Sequence, residues 1–116
     1  MKFLLATVIT LFSLSHASGQ TAPARGTETV KFKTSAVCDM CKTRIEKSLA
    51  YEKGVQSATL DVASQILTVS YRTEKTTPAA LRAAVQKTGY DADDQTADAK
   101  SYNRLPDCCK KTNAVH

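Results

Sequence analysis

The 116-residue sequence predicts a single α+β domain with the order strand, helix, strand, strand, helix, strand. Three observations support this fold class. Several short segments alternate apolar and polar side chains, as half-buried strands do. Two other segments repeat apolar side chains every three or four residues, as helices do. A chain of this length has room for one domain of ordinary size.

The first predicted strand and the first predicted helix follow each other closely. Residues 29–35 alternate in polarity, which indicates a strand with one buried face. Residues 41–51 change to a helical period, because Cys41, Ile45 and Leu49 are spaced four apart and share one face. The junction between the two elements is therefore a strand-to-helix loop.

The middle of the domain is a predicted β-hairpin. Gly54 marks the end of the first helix or a turn just after it. Residues 55–62 and residues 66–71 both alternate apolar and polar side chains, and a short polar turn separates them. We therefore expect the second and third strands to pair as antiparallel neighbours.

A second helix and a last strand complete the pattern. Thr77 is a typical helix cap, Pro78 suits the first helical position, and Gly89 is a typical stop. Residues 90–96 predict a short edge strand. This order is that of a ferredoxin-like βαββαβ sandwich, in which a four-stranded antiparallel sheet carries both helices on one face.

The two ends of the chain differ in composition from the domain. Residues 1–19 have a cationic start, an apolar run and small residues at the end, which predicts a cleavable signal peptide. The apolar run is shorter than the roughly 20 residues that a bilayer crossing needs, so we expect no stable membrane insertion after cleavage. Residues 20–28 predict a flexible lead-in, residues 29–96 the domain, and residues 97–116 a flexible tail that contains cysteines. We therefore expect a periplasmic or secreted monomer.

The charge pattern argues against a nucleic-acid partner. The formal net charge is +5 at pH 7, but the basic residues are scattered and only 6% of the residues are aromatic. A nucleic-acid surface would cluster its basic residues on one face. The mild basic excess suits an acidic protein partner instead. Lys42, Arg44 and Lys47 are the predicted docking residues.

The four cysteines form two tight pairs, Cys38 with Cys41 and Cys108 with Cys109. The first pair lies at the predicted strand-to-helix junction, where unpaired backbone N–H groups favour negative charge. Two intervening residues let both sulfurs converge on one ion, and sulfur donors without a histidine select soft metals. We therefore expect Cys38 and Cys41 to bind Cu(I) at the exposed rim of the domain, with Hg(II), Zn(II) or Cd(II) left open.

The same cysteine spacing also occurs in disulfides, redox pairs and half zinc sites. Lys42 stands where a c-type haem site needs histidine. Cys108 and Cys109 are adjacent, unlike the second half of a four-cysteine zinc site. The strand order and the absence of tryptophan argue against a thioredoxin-like enzyme. We therefore favour a non-enzymatic metal-binding function, and a thiol–disulfide oxidoreductase and a structural disulfide stay as alternatives.

The sequence also resembles the heavy-metal-associated domain family over residues 29–94. The segments that carry the resemblance are residues 38–41, 42–49, 54–55 and 87–92. The family includes copper chaperones, modules of metal-transporting ATPases and periplasmic mercury scavengers. The resemblance implies that Cys38 and Cys41 bind the metal and pass it on by ligand exchange. It also implies a metal-transporting ATPase or another metal-transfer protein as partner, in delivery or in detoxification.

Two further features concern the surroundings of the metal. Residues 35–37 are Ser-Ala-Val, where the family has Gly-Met-Thr, which predicts a more mobile loop and leaves the metal preference open. Tyr90 matches an aromatic that shields the sulfurs in bacterial copper chaperones, or it is a core aromatic. As a hypothesis, the tail folds back so that Cys108 or Cys109 lends a third thiolate to the ion held by the first pair.

Overall fold

The computed structural model describes residues 26–116. The predicted signal peptide and most of the lead-in lie outside the described residues. None of the helices in the described part of the chain has the length and apolar character that a bilayer crossing requires. The elements are β1 (Thr27–Lys33), α1 (Asp39–Ala50), β2 (Val55–Asp61), β3 (Ile66–Arg72), α2 (Pro78–Lys87), α3 (Ala99–Asn103) and one turn of 3-10 helix (Asp107–Cys109).

The three strands form an antiparallel sheet in the order β1-β3-β2. Leu67 in the central strand pairs with Phe32 on one side and with Leu60 on the other. These three side chains are buried, and so is Val69 two residues further along β3. Because alternate residues of a strand point to the same face, one face of the sheet is apolar and forms a wall of the core.

The first helix packs the face that its sequence period predicts. Cys41, Ile45 and Leu49 are all buried and belong to the same core as the inner face of the sheet. The next turn ends at Gly54, whose φ of +83° is the left-handed conformation that glycine adopts without strain. The helix therefore presents its first turn, with Cys41, to the end of β1.

The second helix begins and ends at the signals that the sequence contains. The Thr77 side chain accepts a hydrogen bond of 3.1 Å from the Ala80 N–H, which caps the helix. Leu81, Ala84 and Val85 are buried in the common core. Both long helices thus cover the apolar face of the sheet, as the fold class requires.

The predicted fourth strand over residues 90–96 is not a strand in the described structure. Ala92 forms only isolated bridges, with Thr34 and with Gln95. Asp93 has a positive φ of 53°, and the Ala92 and Gln95 amides each donate to the other's carbonyl at 2.9 Å, so the chain turns back on itself. Aspartates also disfavour sheet formation. The sheet therefore has three strands within residues 26–116.

Residues 97–116, here called the carboxyl-terminal segment, pack on the domain and differ in this from the predicted flexible tail. The Asp98 side chain caps α3 by accepting from the Ser101 N–H at 3.0 Å. Leu105 is 5% exposed and Cys109 is fully buried, and both belong to the main core. A few apolar side chains in a polar stretch are thus enough to fix the segment in place.

The packing of α3 can be tested at Gly89. Its φ is +100°, and a Cβ atom there would lie 2.9 Å from the Ser101 carbonyl oxygen and 3.1 Å from Leu105 Cγ. We predict that Gly89→Ala lowers the free energy of unfolding by about 2 to 3 kcal/mol, from backbone strain plus displacement of α3. Gly26→Ala is the matched control, because its φ is +77° but its Cβ would meet only Thr73 Oγ1 at 3.5 Å. We expect about 1 kcal/mol there. Urea unfolding measures both, and equal losses would contradict the packing of α3 on Gly89.

Candidate metal centre

Cys38 and Cys41 lie at the junction of β1 and α1. Cys38 is the residue before the helix, with an extended backbone at φ −154° and ψ 173°, and Cys41 falls in the first turn. Their Sγ atoms are 3.3 Å apart, and both thiols are free. The local backbone therefore brings the two sulfurs to one point at the start of the helix.

The pair is buried, although the sequence predicts it at an exposed rim. Cys41 is 0% exposed and Cys38 is 6% exposed. Ala36 and Val37, in the loop before the pair, are buried too. The Ala36 carbonyl accepts a hydrogen bond of 2.8 Å from the side-chain amide of Gln65. The loop thus joins the core and is tied to the turn between β2 and β3.

The carboxyl-terminal segment covers the pair and brings the other two cysteines to it. Cys109 Sγ lies 4.0 Å from Cys38 Sγ and 3.9 Å from Cys108 Sγ. The sulfurs of Cys38, Cys108 and Cys109 all lie within 4.8 Å of one another. Cys109 is buried, whereas Cys108 is exposed. The fold-back that the sequence suggested is present in the structure, and it assembles a four-sulfur cluster.

Tyr90 packs beside these sulfurs in the core. Its side chain is fully buried, and its hydroxyl has no hydrogen-bond partner within the described residues while its neighbours are thiols. Burial, followed by its contacts with Cys41 and Cys109, raises the pKa of Tyr90 above its ordinary value. The phenol therefore stays neutral and keeps a proton to donate. A buried hydroxyl without a partner costs about 1–3 kcal/mol, and a neighbouring thiolate would relieve that cost.

Two of the buried thiols differ in how easily they ionise. Burial opposes ionisation of Cys41, but the nearby Tyr90 hydroxyl and the backbone at Val37 and Cys38 outweigh it and hold the pKa of Cys41 below its ordinary value. Burial, with the adjacent Cys41 adding to it, raises the pKa of Cys109 to about 12. Cys41 is thus the readier thiolate, and Cys109 needs a nearby cation to lose its proton at neutral pH.

The cluster offers soft donors. Met40 Sδ lies 4.0 Å from Cys108 Sγ, which adds a thioether at the exposed side. The His116 ring nitrogen Nδ1 lies 2.8 Å from the Ala114 carbonyl oxygen and is not among the clustered ligands. Thiolate and thioether donors select soft cations such as Cu(I), and thiolates also bind Zn(II) and Cd(II). The arrangement therefore suits a soft metal ion better than a hard one.

The predicted docking residues lie on the outer side of α1, but they do not act as one group. Lys42 pairs with Glu46 at 2.7 Å and is thereby neutralised locally. Arg44 and Lys47 line an open groove of about 810 Å³ together with Met40. The groove therefore begins beside the sulfur cluster and carries two of the three predicted cations.

The contacts that hold the carboxyl-terminal segment over the cysteine pair were not predicted from the sequence. Lys111 Nζ lies 3.1 Å from Asp91 Oδ2, and the His116 N–H donates to the Val37 carbonyl at 2.7 Å. Leu105 is buried against the α2 end of the domain. The one available signal was Leu105, a large aliphatic residue in a polar tail. The two polar contacts join residues far apart in the chain and leave no local pattern.

A Cys-x-x-Cys pair at the first strand-to-helix junction of this α+β sandwich defines a small domain that binds a soft heavy metal. The chain belongs to the family of the heavy-metal-associated domain, whose model matches residues 28–91, more than half of the chain.

Relatives of known type match the same region. The copper-exporting P-type ATPase of Staphylococcus epidermidis is 36% identical over 67 residues, which cover 58% of this chain and 8% of the ATPase. The chain thus spans less than a tenth of the length of that curated relative. The amino-terminal domain of a potential copper-translocating P-type ATPase from Bacillus subtilis, solved in its Cu(I)-loaded state, is 34% identical with a TM-score of 0.55, over 58% of this chain and 85% of that one. Oxidised MerP from Ralstonia metallidurans CH34 shares the fold, with 22% identity and a TM-score of 0.55 over 58% of this chain and 94% of its own.

The Tyr90 hydroxyl, which has no hydrogen-bond partner within the described residues, leads to opposite predictions for the stability of the metal-free protein and for its affinity for Cu(I). Tyr90→Phe removes a buried group without a partner, so we expect the metal-free protein to keep or gain stability, by up to about 1 kcal/mol. The same change removes a donor to thiolate, so we expect the affinity for Cu(I) to fall about tenfold, since a hydrogen bond to a charged group contributes roughly 1.5 kcal/mol. Thermal unfolding and a competition titration with a Cu(I) chelator measure the two effects. The control is Tyr71→Phe. The Tyr71 hydroxyl donates to Glu28 Oε2 at 3.2 Å and is not part of the cluster. A loss of stability with unchanged affinity would show that Tyr90 serves the core alone.

Proposed function

We propose that this protein binds Cu(I) through Cys38 and Cys41 and carries or sequesters it, without catalysing a reaction. The observation that carries this proposal is the free, buried pair of thiols 3.3 Å apart at the start of α1. Two relatives more than 30% identical are a copper-exporting ATPase and a domain solved with Cu(I), which supports copper as the cargo. Hg(II), Zn(II) and Cd(II) are the alternative ions, because they bind the same sulfur donors.

Transfer of the ion to another protein needs no catalytic base. A thiolate of the partner bonds to the ion before one of the two cysteines leaves, so that one metal–sulfur bond forms as another breaks. We propose a metal-transporting ATPase or another metal-transfer protein as that partner. The relatives that are ATPases carry this domain as a small part of a longer chain, which supports such a pairing.

The groove beside the cluster supports an acidic partner. Arg44 and Lys47 line it, and Arg44 also lines a second, smaller groove with Lys87 and Arg104. None of these four cations takes part in an ion pair among the described residues. A local excess of unpaired positive charge favours encounter with a negative surface.

The compartment is part of the same proposal. We propose that the protein acts in the periplasm or outside the cell, because residues 1–19 have the three-part pattern of a signal peptide. Free thiols in such a compartment need protection from oxidation. Burial of Cys38, Cys41 and Cys109 limits the access of oxidants to these thiols and so supports the proposal.

Metal binding is tested by titration of the purified, fully reduced chain with Cu(I) in the absence of oxygen. We predict that one equivalent is retained against a chelator. We also predict that Cys38→Ser weakens the binding by at least about 10²-fold, because Cys38 Sγ is the sulfur that lies beside both Cys41 and the two tail cysteines. Ser57→Ala is the control, since it changes an exposed side chain of β2 that is not part of the cluster. We expect it to change the affinity little. A reduced chain that retains no Cu(I) but reduces insulin disulfides with turnover would favour the oxidoreductase instead.

Docking is tested by reversal of charge at the groove. We predict that the double change Arg44→Glu, Lys47→Glu slows the transfer of Cu(I) to the amino-terminal domain of a copper-transporting ATPase about tenfold at low salt, and less at high salt. The matched control is Lys31→Glu, Lys53→Glu, which makes the same change in net charge at exposed positions of β1 and of the turn after α1. Equal slowing by both variants would mean that net charge alone matters and that the groove is not the docking surface.

A further inference from the structure

The carboxyl-terminal segment is anchored on both sides of the sulfur cluster. Before Cys108, Leu105 is buried at the Gly89 turn. After Cys109, Lys111 pairs with Asp91, and the last residue donates its N–H to the Val37 carbonyl at 2.7 Å. Because both flanks are fixed, the two tail cysteines are positioned by the fold.

Two of the three sulfur–sulfur distances among Cys38, Cys108 and Cys109 match those of a three-coordinate soft-metal site. With metal–sulfur bonds of about 2.3 Å, the sulfurs of a trigonal site lie about 4.0 Å apart, those of a tetrahedral site about 3.8 Å, and those of a linear site about 4.6 Å. Cys109 Sγ lies 4.0 Å from Cys38 Sγ and 3.9 Å from Cys108 Sγ. The pair of Cys38 and Cys41, at 3.3 Å, is closer than any of these geometries requires.

Cys38 belongs to both sets of sulfurs. It lies next to Cys41 in the buried pair, and it lies within 4.8 Å of both tail cysteines. The outer set is also the accessible one, because Cys108 is exposed while the other sulfurs are buried. An ion that arrives from solvent therefore meets Cys108 before it meets Cys41.

From this geometry we propose that Cys38, Cys108 and Cys109 form a second binding position for a soft cation, made of three sulfurs and sharing Cys38 with the Cys-x-x-Cys pair. The inference deepens the proposed function and rests on it. Each thiol that becomes a ligand releases its proton to solvent, and no electron is transferred. The shared sulfur means that an ion leaving Cys41 stays bound to the protein, so the carboxyl-terminal segment adds retention to a site that otherwise has two ligands.

Loading of serine variants with Cu(I) tests this position. The reduced full chain, Cys41→Ser and the double variant Cys108→Ser, Cys109→Ser each receive one equivalent of Cu(I) under anaerobic conditions, and X-ray absorption counts the bound sulfurs. We expect three sulfurs in the unaltered chain, three in Cys41→Ser and two in the double variant. We also expect the affinity of the double variant for Cu(I) to be about 10²-fold lower than that of the unaltered chain, because two tethered ligands are lost.

A further variant guards against loss of folding. Cys108 is exposed, so its replacement leaves the core intact, and adding Cys108→Ser to Cys41→Ser is expected to lower the sulfur count from three to two. Cys41→Ser that binds no Cu(I), or a tail double variant with unchanged sulfur count and affinity, would overturn the second position. An unaltered chain that binds no Cu(I) would instead overturn the proposed function itself.

Discussion

The packing of the carboxyl-terminal segment over the junction of β1 and α1 is the constraint on which the rest of the site depends. Leu105 fixes the segment against the Gly89 turn, and the His116 N–H donates a hydrogen bond to the Val37 carbonyl. This closure covers the Cys-x-x-Cys pair and brings Cys109 Sγ to 4.0 Å from Cys38 Sγ.

The thiols of the cluster ionise differently because their surroundings differ. The Tyr90 hydroxyl and nearby backbone groups favour the thiolate of Cys41, whereas burial keeps the proton on Cys109. A soft cation resolves both conditions, because it replaces the thiol proton and gives the phenol an anion to which it can donate. The exposed Cys108 then lies where a partner's thiolate can approach. In the proposed function, retention and transfer would thus use different sides of one cluster.

Much of the fold is predictable from the sequence because its signals are local. The Thr77 cap, the Gly89 stop and the four-residue period of α1 each describe a few neighbouring residues, and the structure confirms them. The predicted strand over residues 90–96 was wrong because its pattern was weak and Asp93 turns the chain with a positive φ.

In the candidate site, too, the features with local sequence signals were predictable and those that depend on distant contacts were not. The motif places Cys38 and Cys41 at a strand-to-helix junction, which the structure shows. The helical period of α1 places Cys41 on the buried face, but the cover over the pair was not predictable, because it depends on contacts with Cys108 and Cys109, about 70 positions away, and on the His116 amide. Such contacts leave no periodicity in the sequence. The adjacent cysteines indicated only that a fold-back was chemically useful.

Alkylation of the native, reduced chain by iodoacetamide, followed residue by residue with mass spectrometry, tests this closure most directly. Thiol reactivity rises with thiolate content and with access. The lowered pKa of Cys41 would make it react readily if it were exposed, so its protection is a stringent measure of burial. We predict that Cys108 reacts at least about tenfold faster than Cys38, Cys41 and Cys109. Labelling of Cys38 and Cys41 as fast as Cys108 would contradict it.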